Sequence, residues 1–188
     1  MKNAKKKPTS KLSVLPAEGV VVGKFYPYHH GHRHLIKTAA DNCRHLTVMV
    51  CNQAGQWIPT EERVRWIQES FPRTSSRGFP DENISVRYFD QEGLGLPDTG
   101  SERWAEETIR FLGFAPDIVF TSEDYGKPWA DAMGAEHRLV DQQRTAVPIS
   151  GTMIREDPER YLQYLEAPAQ EFFHQHQDLL HTPAAVTP

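Results

Sequence analysis

The stretch Gly19-Val20-Val21-Val22-Gly23-Lys24-Phe25-Tyr26-Pro27-Tyr28-His29-His30-Gly31-His32 sets three local structures in immediate succession. The continuous valine run is the signature of a strand buried on both faces, as in parallel sheets. Gly23 to Pro27 carries turn chemistry, and the residues after Gly31 repeat apolar positions at helical spacing: Leu35, Ile36, Ala39, Ala40 and Cys43. A buried strand feeding a turn and then a helix predicts the start of an α/β domain. In such a domain the N-terminus of the helix faces the carboxyl end of the strand.

The same alternation continues. Leu46 to Cys51 reads as a second strand, and a helix capped by Thr60 presents Val64, Ile67 and Phe71, with Glu61 and Glu62 at the positive end of its dipole. Residues 73–81 read as loop, and Ile84, Val86 and Tyr88 alternate as in a strand. A Gly/Pro-rich connection over residues 91–100 leads to a helix capped by Ser101, carrying Ala105, Thr108, Ile109 and Leu112 and stopped by Gly113. Ile118-Val119-Phe120 is a further buried strand, followed by a short helix with Pro128 in its first turn and Gly134 at its end, then a strand around Leu139 and Val140. After Ile149 only helices are expected, opening at Ser150-Gly151, at Asp157-Pro158 and at Pro168, the last reaching Leu180. The fold expected is a Rossmann-like, open and mainly parallel sheet with helices on both faces and a C-terminal helical segment. Ligands of such sheets sit at the carboxyl ends of the strands.

Bulk composition sets limits on this. With 188 residues, 38% of them hydrophobic, the chain suits one domain over residues 18–180, with a basic flexible tail over 1–17 and a flexible tail over 181–188. The formal charge of −4 gives no general reason to bind nucleic acid, and no apolar run approaches the ~20 residues that cross a bilayer. Neither nucleic acid nor membrane is expected as a partner. Cys43 and Cys51 are too few for a disulfide framework and fit small core positions, which points to a cytoplasmic protein. Composition leaves a homo-oligomer open.

Two segments carry chemistry. Four of the nine histidines, His29, His30, His32 and His34, fall at the junction of the first strand and the first helix. Backbone amides at a helix N-terminus favour phosphate; Gly31 would let it approach, and His29 and His32 could donate to it. On the residues alone, a transition-metal site using His30 and His34, or histidines that merely cap a helix, remain alternative readings. The second segment, Ile149-Ser150-Gly151-Thr152-Met153-Ile154-Arg155, offers hydroxyls, exposed amides and a planar cation. An ordinary serine cap beside a surface arginine explains it equally well in isolation. Together the two suggest one triphosphate held between two cradles.

Gly23 to His32 resembles the G-x-F-x-P-x-H-x-G-H signature of the nucleotidylyltransferase superfamily, and Ile149 to Arg155 resembles its I-S-G-T-x-I-R signature. Similarity extends, over residues 19–173, to the NMN adenylyltransferase domain of NadR-type proteins, through Arg63-Val64-Arg65-Trp66, Thr121-Ser122-Glu123, and Val140-Asp141 followed by Arg144-Thr145. Such proteins continue into a ribosylnicotinamide kinase domain, and some begin with a DNA-binding helix-turn-helix. Neither is read in this chain, so kinase and repressor activities are not implied.

The resemblance implies transfer of AMP from ATP to nicotinamide mononucleotide (NMN), giving NAD and pyrophosphate. Related acceptors (nicotinate mononucleotide, phosphopantetheine), a cytidylyltransferase and a non-catalytic nucleotide sensor are the alternatives. It gives His29, His32, Lys24 and Arg155 catalytic roles at the ATP phosphates. Gly23, Phe25, Gly31, Thr121, Ser122, Ser150, Gly151 and Thr152 would complete the ATP site. Arg63 is the candidate for the NMN phosphate, and Trp104, with Trp57 as alternative, for stacking on the nicotinamide ring. Mg²⁺ is expected to arrive on the ATP phosphates, with no dedicated protein metal site.

Overall fold

The computed structural model describes residues 15–71, 83–92 and 100–176. The loop expected at 73–81, most of the 91–100 connection, residues 1–14 of the N-terminal tail, the tail over 181–188 and Leu180 lie outside the described residues.

Five strands, β1 (Glu18–Gly23), β2 (His45–Cys51), β3 (Ile84–Phe89), β4 (Ile118–Thr121) and β5 (Glu136–Leu139), form one sheet in the order β3-β2-β1-β4-β5. Every neighbouring pair is parallel; Val21, for example, lies between Val48 of β2 and Phe120 of β4. The order reverses direction between β1 and β4, which opens a crevice at their carboxyl ends.

Helices α1 (His30–Ala40), α2 (Thr60–Ser70), α3 (Ser101–Leu112) and α4 (Gly126–Met133) cross between strands. The short helices α5 (Gly151–Glu156) and α6 (Pro158–Tyr161) follow, then a 3-10 turn (Leu162–Tyr164) and α7 (Ala167–Gln175). Successive valines of β1 face opposite sides. Val21 joins Leu35 and Ile36 of α1, Trp66 and Ile67 of α2, Ile154 of α5 and Phe173 of α7 in one core. Val20 and Val22 join Met49, Ala105 of α3, and Trp129 and Met133 of α4 in the other. Burying a valine side chain contributes at least ~1.5 kcal/mol, so a charged residue anywhere in Val20-Val21-Val22 would disrupt one layer or the other. Cys43 and Cys51 are buried free thiols, one in each core, and burial pushes them up to about 11 and about 12.

Gly113 and Gly134 end α3 and α4 in the left-handed conformation, at φ 87 and 71°. Two caps differ from the sequence reading. Thr60 starts α2 behind Pro59, and its hydroxyl accepts from Arg63 Nη2 at 2.6 Å in place of a helix amide. Gly100 occupies the cap position of α3, and Ser101 is that helix's first residue, with no side-chain cap bond. In both, the helix begins one residue before the expected first turn. Ser150 and Asp157 do cap α5 and α6, accepting from Met153 N and Arg160 N at 3.2 Å each.

Candidate active site

The turn after β1 is shaped by Phe25. Its φ of 48° is left-handed, uncommon for a bulky residue, and its ring is fully buried, so core packing holds the turn in that conformation. Gly23 is small because the Phe25 ring folds back to 3.2 Å from where its Cβ would lie. The Tyr26-Pro27 bond that follows is cis.

His29 is the N-cap of α1. Its Nδ1 accepts from the amides of Gly31 and His32, at 3.1 and 3.4 Å, so the ring is neutral with its proton on Nε2. This changes the expected role of Gly31. Its amide is turned to His29 and its missing side chain makes room for the His29 ring, which lies 3.0 Å from an ideal Cβ. The first cradle therefore presents imidazoles where free amides were expected.

The His32 ring stacks on that of His29, with centroids 3.7 Å apart and planes 21° from parallel. Burial holds the His32 pKa down at about 3, with Arg144 and Arg155 adding to the effect and a Pro27 backbone contact opposing it. His29 is lowered too, by burial first and then by His32 and Arg144. His32 Nδ1 is a buried polar atom without a hydrogen-bond partner. Of the other two histidines, His30 is exposed, 3.8 Å from Glu166, and His34 lines the cavity described below. Among the described residues no group of three or more His, Cys, Asp or Glu side chains is placed to hold a metal ion.

The second motif packs directly against the first. Gly151 lies where a Cβ would come within 2.7 Å of the Tyr26 carbonyl. Arg155 Nη1 donates to that carbonyl at 2.6 Å, Nη2 donates to Thr152 Oγ1 at 3.1 Å, and the guanidinium sits 5.4 Å from the Tyr26 ring.

Between the motifs, at the carboxyl ends of β1 and β4, lies a cavity of about 680 Å³, within the range usual for small-molecule sites. Gly23, Lys24, Phe25, His29, Gly31 and His32 line it from the first motif, and Ser150, Gly151, Thr152 and Arg155 from the second. Ser122 and Glu123 contribute from the end of β4, and Trp104 and Gln91 from α3 and the end of β3. Lys24 has its pKa lowered by burial and by Arg155, as befits a cation held among cations. The walls suit a polyanion, with an aromatic face on the α3 side.

Arg144 also lines the cavity, at a position with no assigned role in the sequence motifs. Asp141 positions it. The Asp141 carboxylate accepts from Ala146 N and Val147 N at 3.0 Å and Thr145 Oγ1 at 3.3 Å, and its carbonyl accepts from Arg144 N at 2.8 Å. Both Asp141 and Arg144 have positive φ, 46 and 52°. The spacing Asp141 to Ala146 was the available signal, since aspartate often closes a turn on following amides. Tyr26, Tyr125 and Gln91 are further lining residues that no local sequence signal marks.

Three expected contacts fall outside the cavity. Arg63 is 1% exposed, and all five of its donors are engaged: with the Lys24 and Cys51 carbonyls, Gln56 Oε1, Thr60 Oγ1 and the Pro59 carbonyl. It ties the ends of β1 and β2 together and has no free donor for a phosphate. Trp57 packs edge-on against Tyr26 and Phe173, with centroids 5.7 and 5.6 Å away. Thr121 lies under the β4 turn, its hydroxyl donating to the Glu123 carbonyl at 2.9 Å and 2.8 Å from His137 Nε2.

Comparison with known proteins follows the same lines. A family model described as cytidylyltransferase-like matches residues 20–157. The chain is 32% identical over 171 residues to the trifunctional NAD biosynthesis/regulator protein NadR of Escherichia coli, covering 82% of this chain and 40% of that one. It thus spans about two fifths of that relative's length. It is also 27% identical over 155 residues to the phosphonoformate cytidylyltransferase of Streptomyces viridochromogenes, covering 73% of this chain and 78% of that one. Among solved structures, NadR in complex with NAD and AMP-PNP superposes with a TM-score of 0.60 at 23% identity, over 87% of this chain and 48% of that one. The bifunctional NMN adenylyltransferase/ADP ribose pyrophosphatase of Francisella tularensis, complexed with AMP and manganese, gives 0.62 at 14% identity, over 87% and 50%. At these identities the structural likeness speaks for the fold.

Proposed function

The chain belongs to the cytidylyltransferase-like family and is a nucleotidyltransferase, and from that premise we propose that it transfers AMP from ATP to NMN, forming NAD and releasing pyrophosphate. The observation that carries this reading is the meeting of both motifs and Trp104 in one cavity, with cations at the motif side and an aromatic face at the other.

The acceptor's 5′-phosphate oxygen attacks the α-phosphorus of ATP. The bond from that phosphorus to the α,β-bridging oxygen breaks, and pyrophosphate leaves with its electron pair. A phosphate monoester is already anionic near neutral pH, so no side chain needs to take a proton from it. The work left to the protein is to hold two polyanions together and stabilise the leaving group's charge. Lys24, Arg144 and Arg155 supply fixed positive charge, and His29 and His32 supply ring N–H donors. Ser150, Gly151 and Thr152 form the opposite wall of the phosphate site, and Ser122 with Glu123 lies where the adenine would rest. Of the two carboxylates that line the cavity, Asp141 is spent on its own loop and Glu123 stands at the end of β4 on the side assigned to the adenine, which leaves the phosphate side cationic and neutral. That fits Mg²⁺ carried in on phosphate oxygens and water, where it would neutralise charge on the departing pyrophosphate.

Incubation with Mg²⁺, ATP or CTP, and a panel of NMN, nicotinate mononucleotide, phosphopantetheine and phosphonoformate, followed by mass analysis, tests the reading. NAD and pyrophosphate from ATP and NMN are expected. Turnover confined to CTP would move the chain to the activity named for its Streptomyces relative.

A further inference from the structure

Gln91 follows the carboxyl end of β3 and is 7% exposed, yet it lines the cavity. Its backbone is fixed from the neighbouring strand. Asn52, just beyond β2, accepts from Gln91 N through Oδ1 at 2.9 Å and donates through Nδ2 to Tyr88 Oη at 3.0 Å and Asp90 Oδ1 at 2.8 Å. Asp90 Oδ1 in turn accepts from Glu92 N at 3.0 Å. Both ends of the Asn52 amide are thus spent on locking residues 88–92. Among the described residues, the Gln91 side-chain amide makes no hydrogen bond of its own. A buried, preorganised amide with an unused donor and an unused acceptor is a reading head.

Its surroundings say what it reads. Phe89, two residues earlier, packs on Trp104 with ring centroids 5.9 Å apart, and both Gln91 and Trp104 line the cavity. The lysine and arginines that line the cavity, Lys24, Arg144 and Arg155, come from the β1 turn and the second-motif side. The chain neighbours of Gln91 are Asp90 and Glu92. A carboxamide offers one donor and one acceptor and can pair reciprocally with a glutamine amide. A carboxylate offers acceptors only, could pair with Nε2 alone and would set its charge against Oε1.

We infer that Gln91 is the specificity-determining residue for the acceptor, selecting a pyridine mononucleotide that carries a carboxamide over one that carries a carboxylate. The inference rests on the function proposed above. Sites built around such a hydrogen-bond pair reject partners that cannot complete it.

The test is kcat/KM for NMN and for nicotinate mononucleotide, with saturating ATP and Mg²⁺, in the wild type, Gln91→Leu and Gln91→Arg, with thermal midpoints to verify folding. The wild type is expected to favour NMN. Gln91→Leu should lose about 10-fold with NMN and little with nicotinate mononucleotide, as follows from leaving a buried carboxamide unpaired. Gln91→Arg should shift the ratio toward the carboxylate, with the KM for ATP unmoved in both variants. A ratio unchanged in folded variants, or an equal loss for both acceptors, overturns the inference. A wild type that uses neither acceptor removes the proposed function and this inference with it, a result distinct from an unmoved ratio.

Discussion

Arg155 reaches across 129 positions of sequence to donate to the carbonyl of Tyr26 at 2.6 Å. That bond joins the two motifs into a single wall. The Tyr26 ring lies within reach of two guanidinium groups, 5.4 Å from that of Arg155 and 5.7 Å from that of Arg63, and its hydroxyl accepts from Trp57 N at 3.1 Å. The residue between the signature's phenylalanine and proline thus binds the second motif, α2 and the loop after β2 to one turn.

His32→Ala should lower kcat by about 10² or more, since groups that stabilise charge in a transition state commonly matter on that scale. Steady-state kinetics beside a thermal melt separates this from misfolding. Near-normal turnover would take His32 out of the mechanism.

The depressed imidazoles predict a pH signature. His32 titrates near 3 when folded and near its ordinary 6.5 when unfolded. The unfolded state therefore binds more protons between those values, and stability falls as pH drops from about 6.5 toward 3. Replacing His32 with Asn should flatten that fall by up to one proton's worth of slope. A triphosphate beside the rings reverses the shift, so ATP binding near pH 6 should take up protons. Calorimetry in two buffers of different ionisation enthalpy measures this; binding without proton uptake would mean that the rings stay neutral and act on the phosphates only as N–H donors.

Trp104→Ala should raise the KM for NMN about 10-fold, the scale of a lost aromatic stack, while changing the KM for ATP little. Equal losses for both substrates would mark Trp104 as packing against Phe89 alone.

Arg63→Ala leaves the buried carbonyls of Lys24 and Cys51 without a donor, and should cost roughly 3 kcal/mol of stability. Because Arg63 lies beneath the cavity, kcat should fall through the displaced Lys24 turn. Chemical denaturation with parallel kinetics checks this. A stable variant whose only defect is a raised KM for NMN would restore Arg63 to the phosphate-binding role that its sequence context suggested.

Much of this was readable from residues. The Val20-Val21-Val22 run declares a strand with two buried faces, and Gly113 and Gly134 announce helix ends because few other residues accept a positive φ. Both motifs also landed in one cavity, as their matching chemistry required. The contacts that sequence misplaced are tertiary. Nothing local to Arg63 says that the Lys24 and Cys51 carbonyls will converge on it, and nothing local to Trp57 says that Phe173 will cover it. Gly31 reads in sequence as an opening for phosphate, but the room it leaves is taken by the His29 ring, which emerges only when the cap forms. Arg144 was hidden because its place depends on Asp141 closing a turn by backbone bonds.

The most direct measurement is the structure of the complex with a non-hydrolysable ATP analogue and NMN. The account predicts one triphosphate contacted at once by the imidazoles of His29 and His32 and by residues of the Ser150 to Arg155 segment, with the nicotinamide against Trp104. A triphosphate held by one motif alone, or imidazoles turned away from it, would contradict the account.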